Sequence, residues 1–456
     1  MKRFLLEYLK EWQNRPNRKP LIVRGARQVG KTHLIRDFSS AQFDNIAEIN
    51  FDLTPERADI FASKDINLIL RFLETDLDIE IIPGKTLLFL DEIQNVPQLI
   101  PLLRYFYEEL PELHLIAAGS LLEFTLRNHT FSMPVGRIEY MFMGPMTFPE
   151  FLYASNKKQL LKFINSYHLG EIIPQSIHNK LLQLLKIYCV VGGMPAVMKE
   201  YINNKNAKYA SMEQRSILQT YRDDFSKYNA KINANRLGKV FSRMPHLVGE
   251  KLKYVKVDRN ERAKDISECI DMLQMAKTVH RVTHSDGNGI PLGAEANHKD
   301  FKMLFVDIGL LSSSLGIKDT DIELAEDLLL VNSGAVAEQF AGQHLLYQHD
   351  SYIEPELYYW NREKRNSSAE VDYLYAHGSN VIPIEIKAGK AGALKSLHVF
   401  ASEKNSRIAV RFNTGMPSCN TLKSTVSSKQ SEPFQLLSLP LYLVCELERL
   451  LNSINN

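Results

Sequence analysis

A chain of 456 residues is too long for one ordinary hydrophobic core and points to two to four domains. Hydrophobic residues at 45% and charged residues at 24% exclude both a disordered chain and a coiled coil. A formal charge of +2 gives no global attraction to nucleic acid, so any such binding has to come from a local patch.

In chain order, the opening MKRFLLEYLKEW is basic, but Glu7, Lys10 and Glu11 interrupt any signal-peptide core. The apolar stretch Leu21-Ile22-Val23 then runs into GARQVGKT and the helix-like HLIRDF, a strand, loop and helix in succession. Gly25, Gly30, Lys31 and Thr32 satisfy G-x-x-x-x-G-K-[ST], with Ala26, Arg27, Gln28 and Val29 between the glycines. In such a loop backbone N–H groups wrap phosphates, the lysine neutralises them and the threonine hydroxyl reaches Mg²⁺. A second apolar strand, LLFLDEIQ, ends at Asp91-Glu92. Adjacent residues at a strand end point in different directions, so Asp91 is expected to hold Mg²⁺ and Glu92 to polarise the attacking water. A third strand, LHLIAAGS, delivers Ser120 beside the nucleotide, or else caps a helix there. Arg137 is the candidate cation for charge on the transferred phosphoryl group, acting within the chain or from a neighbouring subunit in a homo-oligomer; the alternative is an ordinary surface arginine.

GARQVGKT, LDEIQ, AAGS, the Gly136-Arg137 segment that runs to FPEFL, and VGGMP at 191–195 together resemble bacterial and archaeal AAA-type ATPases that carry a C-terminal domain of unknown function. The resemblance covers almost the whole chain. It implies an α/β fold: a P-loop ATPase core over 1–150, a helical lid or connector over 151–235, a winged-helix-like module over 236–325 and a restriction-endonuclease-like domain over 326–456.

The residues themselves supply part of that division. KQLLKFINSYH, NKLLQLLKIYCVV and SILQTYRDDFSKY repeat apolar residues at helical spacing, and Gly192-Gly193-Met194-Pro195 breaks the series as a sharp turn. Between Phe225 and Lys264 eleven Lys or Arg face three acids, and VHRVTH followed by SDGNG reads as a hairpin after a helix over 262–276. A basic helix with a β-wing suits DNA or RNA phosphates; a packing module with solvated charges is the alternative.

Further on, VDYLYA and VIPIEIK read as strands joined by the turn HGSN. Alternation along a strand puts Glu370 with Asp372 and Glu385 with Lys387, and pairing the two strands brings Asp372, Glu385 and Lys387 together. The D-x12-E-x-K spacing resembles the PD-(D/E)xK nuclease motif, with Val371 where the motif's name has proline. That resemblance implies Mg²⁺ or Mn²⁺ on Asp372, Glu385 and the helical Glu338, with Lys387 orienting water or stabilising the phosphorane. Trp360 and Arg362 precede the hairpin and are candidates for substrate contact. Four scattered cysteines, Cys189, Cys269, Cys419 and Cys445, fit neither a close-spaced zinc site nor a disulfide framework, and no apolar run approaches the roughly 20 residues of a membrane span. A cytoplasmic protein without membrane contact is expected, either an ATP-regulated nuclease or a nucleotide-dependent switch whose C-terminal domain recruits a protein or nucleic acid.

Overall fold

Three of the apolar runs above become the centre of a parallel sheet, which the computed structural model defines for residues 1–127, 133–228, 233–317, 334–364, 367–387, 394–423 and 432–454. Two units are present: Met1–Gly144 with Met275–Lys277 and His349–Glu354, and Pro145–Gln274 with Thr278–Gln348 and Pro355–Asn456.

In the first unit the strands are β1 (Leu21–Arg24), β2 (Asn45–Asn50), β3 (Thr86–Asp91), β4 (His114–Gly119) and β5 (Glu139–Phe142), in the order β2-β3-β4-β1-β5, with every pairing parallel. Parallel strands need crossovers, and helices α1 (Leu5–Asn14), α2 (Lys31–Gln42), α3 (Ile66–Leu77), α4 (Leu99–Glu109) and α5 (Leu122–Arg127) lie between or beside them in sequence. Covered on both faces, β3 and β4 are buried at every residue, which is why they read as continuous apolar runs. Asp65 starts α3 by accepting from the backbone N–H groups of Asn67 and Leu68, and Ile66, Ile69 and Leu73 then fall on one buried face. The segments Met275–Lys277 and His349–Glu354 are fastened by charge: Lys277 Nζ lies 3.6 Å from Glu123 and 3.3 Å from Glu354, while Arg24 forks onto Glu123.

The second unit combines helices with an eight-stranded sheet. The strands are β6 (Val279–Ser285), β7 (Ala296–Phe305), β8 (Leu357–Lys364), β9 (Ser367–His377), β10 (Asn380–Ile386), β11 (Ile408–Asn413), β12 (Ser418–Leu422) and β13 (Phe434–Pro440), in the order β12-β13-β11-β10-β9-β8-β6-β7. The expected hairpin exists as β6 and β7, but it is no free-standing wing. Strand β6 pairs parallel to β8, so the hairpin forms one edge of the sheet that carries the C-terminal strands. The sheet therefore runs across the expected division between 325 and 326, which itself falls outside the described residues, as do Lys231 and the side chain of Lys227 from the basic run.

Helix Ala335–Leu346 is buried on all sides except at Glu338. Two glutamines sew it to the end of β7: Gln339 accepts from Phe305 N–H and donates to Phe305 O, both at 2.8 Å, and Gln343 accepts from Ile308 N–H at 2.8 Å. One turn on, His344 Nε2 accepts from Phe148 N–H at 2.9 Å and its other ring nitrogen meets Phe340 O at 2.7 Å. Phe148 opens the FPEFL helix, whose Thr147 and Glu150 form a reciprocal capping box, so that motif serves helix start and docking.

Burial pushes His344 down to about 4 from 6.5, with the Phe340 carbonyl opposing it. The unfolded chain thus binds the proton more readily, and the stability from neutral His344 is complete above pH 6.5 and lost as pH falls toward 4. That loss amounts to about 3 kcal/mol. Denaturant unfolding of the wild type at pH 7 and pH 4.5, compared with His344→Gln, is expected to show a flatter pH response in the variant. Equal slopes would assign the acid sensitivity elsewhere.

Candidate functional site

The strand order determines which side chains can meet. Inserting β4 between β1 and β3, all parallel, brings the residues after β1, β3 and β4 to one edge of the sheet. Crevices at the carboxyl ends of such strands are where ligands bind in open α/β sheets.

After β1 the loop turns through Gln28 at φ 64° and Gly30 at φ 95° into α2. Gly25 passes so close to the Met143 carbonyl that a Cβ would collide with it. From behind, the Arg3 guanidinium donates to Val29 O at 2.8 Å and Gly144 O at 2.9 Å. Lys31 Nζ donates to Gly25 O and Ala26 O, both at 2.9 Å, and is buried. Burial, reinforced by Arg27, lowers Lys31 to about 8, while Glu92 and Asp91 oppose the shift. Thr32 Oγ1 donates to Asp91 Oδ2 at 2.8 Å, and Asn50 Nδ2 reaches the same oxygen at 3.3 Å. Burial raises the Asp91 carboxyl above its ordinary range, aided by the Glu92 charge and opposed by the Thr32 hydroxyl.

Glu92 takes the left-handed conformation at φ 54°, which turns its side chain away from that of Asp91. Its Oε2 accepts from Gln94 Nε2 at 2.6 Å and from Ser120 Oγ at 3.4 Å, and Ser120 in turn receives Arg27 Nε at 3.3 Å. Gly119 leaves room for Gln94, since a Cβ there would strike Gln94 Oε1. Thus Arg27, Lys31, Thr32, Asp91, Glu92 and Ser120 converge as the sequence suggests. Arg3, Asn50 and Gln94 join them without having been singled out.

Arg137 does not converge. Glu139 lies opposite Leu21 in the parallel β1–β5 pair, so β5 begins four residues, roughly 13 Å, before the loop, and Arg137 precedes even that. Its Nε bonds Glu108 Oε1 at 2.8 Å. Strand polarity thus places Arg137 away from the loop on its own chain, as fits either an ordinary surface arginine or one that faces a neighbouring subunit.

In the second unit, antiparallel pairing of β9 with β10 brings the expected carboxylates together. Asp372 Oδ2 accepts from Ile386 N–H at 2.7 Å, and Lys387 Nζ bonds Glu385 Oε1 at 2.5 Å. Burial, with the Asp372 charge, raises the carboxyls of Glu338 and Glu385. Trp360, a candidate for substrate contact, packs edge-on against Phe400 in the core, and Arg362 pairs with Glu403.

The unforeseen member of the cluster is Lys302 of β7, whose side chain is 3% exposed. Its Nζ lies 3.5 Å from Asp372 Oδ1 and 3.8 Å from Glu338 Oε2, and forms an ion pair with Glu370 Oε1. Burial opposes its charge, but Glu338, Asp372 and Glu370 outweigh burial and hold the ammonium above the ordinary lysine range. A lysine inside the apolar run Phe301-Lys302-Met303-Leu304-Phe305 was the signal available in the sequence. Among the described residues no group of three His, Cys, Asp or Glu side chains is disposed to hold a metal, and no helix is long and apolar enough to cross a membrane.

Residues 17–152 match the AAA domain family; residues 182–321 and 333–442 match two domains of unknown function, DUF8612 and DUF4143. No curated protein matches the chain. Among solved structures the chain is similar to the Walker-type ATPase paby2304 of Pyrococcus abyssi, with 14% identity over 68% of this chain and 94% of that one and a TM-score of 0.42. It is also similar to the ORC1 protein of Aeropyrum pernix in complex with DNA, at 13% identity over 70% and 92% with a TM-score of 0.27. A third likeness is to RuvB of Thermotoga maritima, at 16% identity over 61% and 86% with a TM-score of 0.26. The match of residues 17–152 to the AAA domain family coincides with the parallel sheet and its glycine-rich loop.

Proposed function

We propose that this protein binds ATP at the P-loop and hydrolyses it, and that nucleotide state controls engagement of a nucleic acid or protein partner by the second unit. The observation that carries the ATPase reading is the convergence of Lys31, Thr32, Asp91 and Glu92 at one edge of the sheet. Lys31 offers a buried ammonium to the β- and γ-phosphates, with loop N–H groups around them. Thr32 and Asp91, already 2.8 Å apart, form an oxygen pair suited to Mg²⁺, and these two would hold it. Bound there, the ion supplies charge neutralisation to the phosphates. Glu92, held on Gln94 and Ser120, is placed to orient the attacking water and take its proton.

Nucleotide binding and phosphate release by the full chain test this reading. Lys31→Ala removes a charge-assisted contact and is expected to weaken ATP binding by about tenfold or more. Phosphate release that persists unchanged in Lys31→Ala would place hydrolysis in another protein.

For the second unit two readings remain, each with its own observation. Convergence of Asp372, Glu385 and Lys387 supports nucleic-acid cleavage, whereas the Lys302 ammonium among the same carboxylates supports a non-cleaving partner-binding domain. Labelled single- and double-stranded DNA and RNA, incubated with and without ATP, separate them. Cleavage abolished by Asp372→Ala supports the nuclease; ATP-dependent binding without cleavage supports the switch.

A further inference from the structure

The nuclease resemblance calls for a divalent cation among Glu338, Asp372 and Glu385, and the residues present do not fit one. Two of these three carboxylates already face Lys302 Nζ, at 3.8 and 3.5 Å. Glu385 Oε1 is taken by Lys387 and Asp372 Oδ2 by the Ile386 N–H, while Glu385 Oε2 is buried without a hydrogen-bond partner among the described residues. An ion that takes six or more oxygen ligands would have to compete with these ammonium groups and the Ile386 donor for every carboxylate of the three.

Nor is Lys302 free to withdraw. Its backbone is held on one side by β6, where it lies opposite Val282, and on the other by a bridge to Lys251, next to a 2.9 Å bond from Leu252 N–H to Phe301 O. Lys251 Nζ also bonds Asp300 at 2.6 Å, and the Lys302 ammonium stands 5.4 Å over the Tyr359 ring. Moving the ammonium out would leave Glu338, Glu370 and Asp372 without their counter-ion at the same moment.

We propose that the Lys302 ammonium is the resident cation of the C-terminal carboxylate cluster and excludes divalent metal from it. This inference rests on the nuclease-like reading of β9 and β10, because that reading supplies the carboxylate arrangement a metal would use. In this protein the second unit retains the ligands and replaces the ion with its own side chain.

Mn²⁺ binding to the full chain without nucleotide, followed by electron paramagnetic resonance, tests it in wild type, Lys302→Met, Asp372→Asn and the double variant. Wild type and Asp372→Asn are expected to bind Mn²⁺ alike, so that any weak site they share lies elsewhere. Lys302→Met, which keeps the chain length over Tyr359, is expected to gain one Mn²⁺ site about tenfold tighter or more, lost again in the double variant. If wild type already holds an Mn²⁺ that Asp372→Asn removes, the lysine does not exclude metal and the inference fails while the nuclease reading gains. Folded Lys302→Met that gains no site overturns the inference, because the carboxylates are then not poised as ligands. Should Lys302→Met fail to fold, Lys302→Gln takes its place, and the comparison of wild type with Asp372→Asn decides by itself whether metal enters. Cleavage assays read the nuclease proposal separately from these binding measurements.

Discussion

Glu92→Gln is expected to leave ATP binding nearly unchanged and to slow phosphate release by about a hundredfold to a thousandfold. The substitution keeps the size of the side chain and removes its capacity to accept a proton. Lys31, Thr32 and Asp91, which hold the phosphates and the ion in the proposed mechanism, bond one another and the loop without using the Glu92 carboxylate. Binding should therefore survive. In contrast, Glu92 Oε2 is held by Gln94 at 2.6 Å and approached by Ser120 at 3.4 Å, so the carboxylate is presented at the strand edge rather than spent on structure. Single-turnover phosphate release beside equilibrium nucleotide binding separates the two effects. A Glu92→Gln protein with wild-type turnover would remove Glu92 from the chemistry and move attention to Asn50 or to a neighbouring subunit's Arg137.

What the sequence made legible follows from how each site is assembled. The loop from Gly25 to Thr32 is contiguous, so its residues and their tasks could be read directly. Asp91 and Ser120 were legible because each ends an apolar strand, and parallel strands deliver their ends to one edge. Asn50 and Gln94 depend on the order β2-β3-β4, which no local pattern reveals. The distance of Arg137 from its own chain's loop was hidden for the complementary reason: spacing from the loop says nothing about strand polarity, and Arg137 lies before β5 rather than after it. In the second unit Asp372, Glu385 and Lys387 belong to one hairpin and were legible from alternation. Lys302 arrives from an earlier hairpin, through the pairing of β6 with β8, and only that non-local contact shows that the cluster contains a cation.

The VGGMP segment shows the same dependence on partners far along the chain, and it carries the largest stability effect expected here. Gly192 ends its helix at φ 79° and ψ −172°, a region that essentially only glycine occupies. A Cβ there would strike Asp307 Oδ1 and stand 2.7 Å from the Cα of Gly309. Asp307 is fully buried and accepts from the N–H groups of Gly193 at 2.6 Å, Gly309 at 2.9 Å and Leu310 at 3.0 Å, capping the helix that starts at Ile308. Burial outweighs those three donors and holds the Asp307 carboxyl up at about 6, so the group has no surplus solvation to fall back on. Gly192→Ala therefore combines backbone strain, overpacking and displaced hydrogen bonds, and is expected to cost roughly 4 to 6 kcal/mol, enough to unfold a domain of ordinary stability. Gly238→Ala provides the contrast: it lies inside helix Ala234–Arg243 with nothing within 4 Å of the added carbon, and should stabilise by about 0.5 to 1 kcal/mol. Denaturant unfolding of the two variants beside wild type would distinguish a general tolerance for alanine from a requirement at Gly192. Equal stability of Gly192→Ala and wild type would mean that the Asp307 cap can move aside, and that VGGMP is there for a reason other than packing.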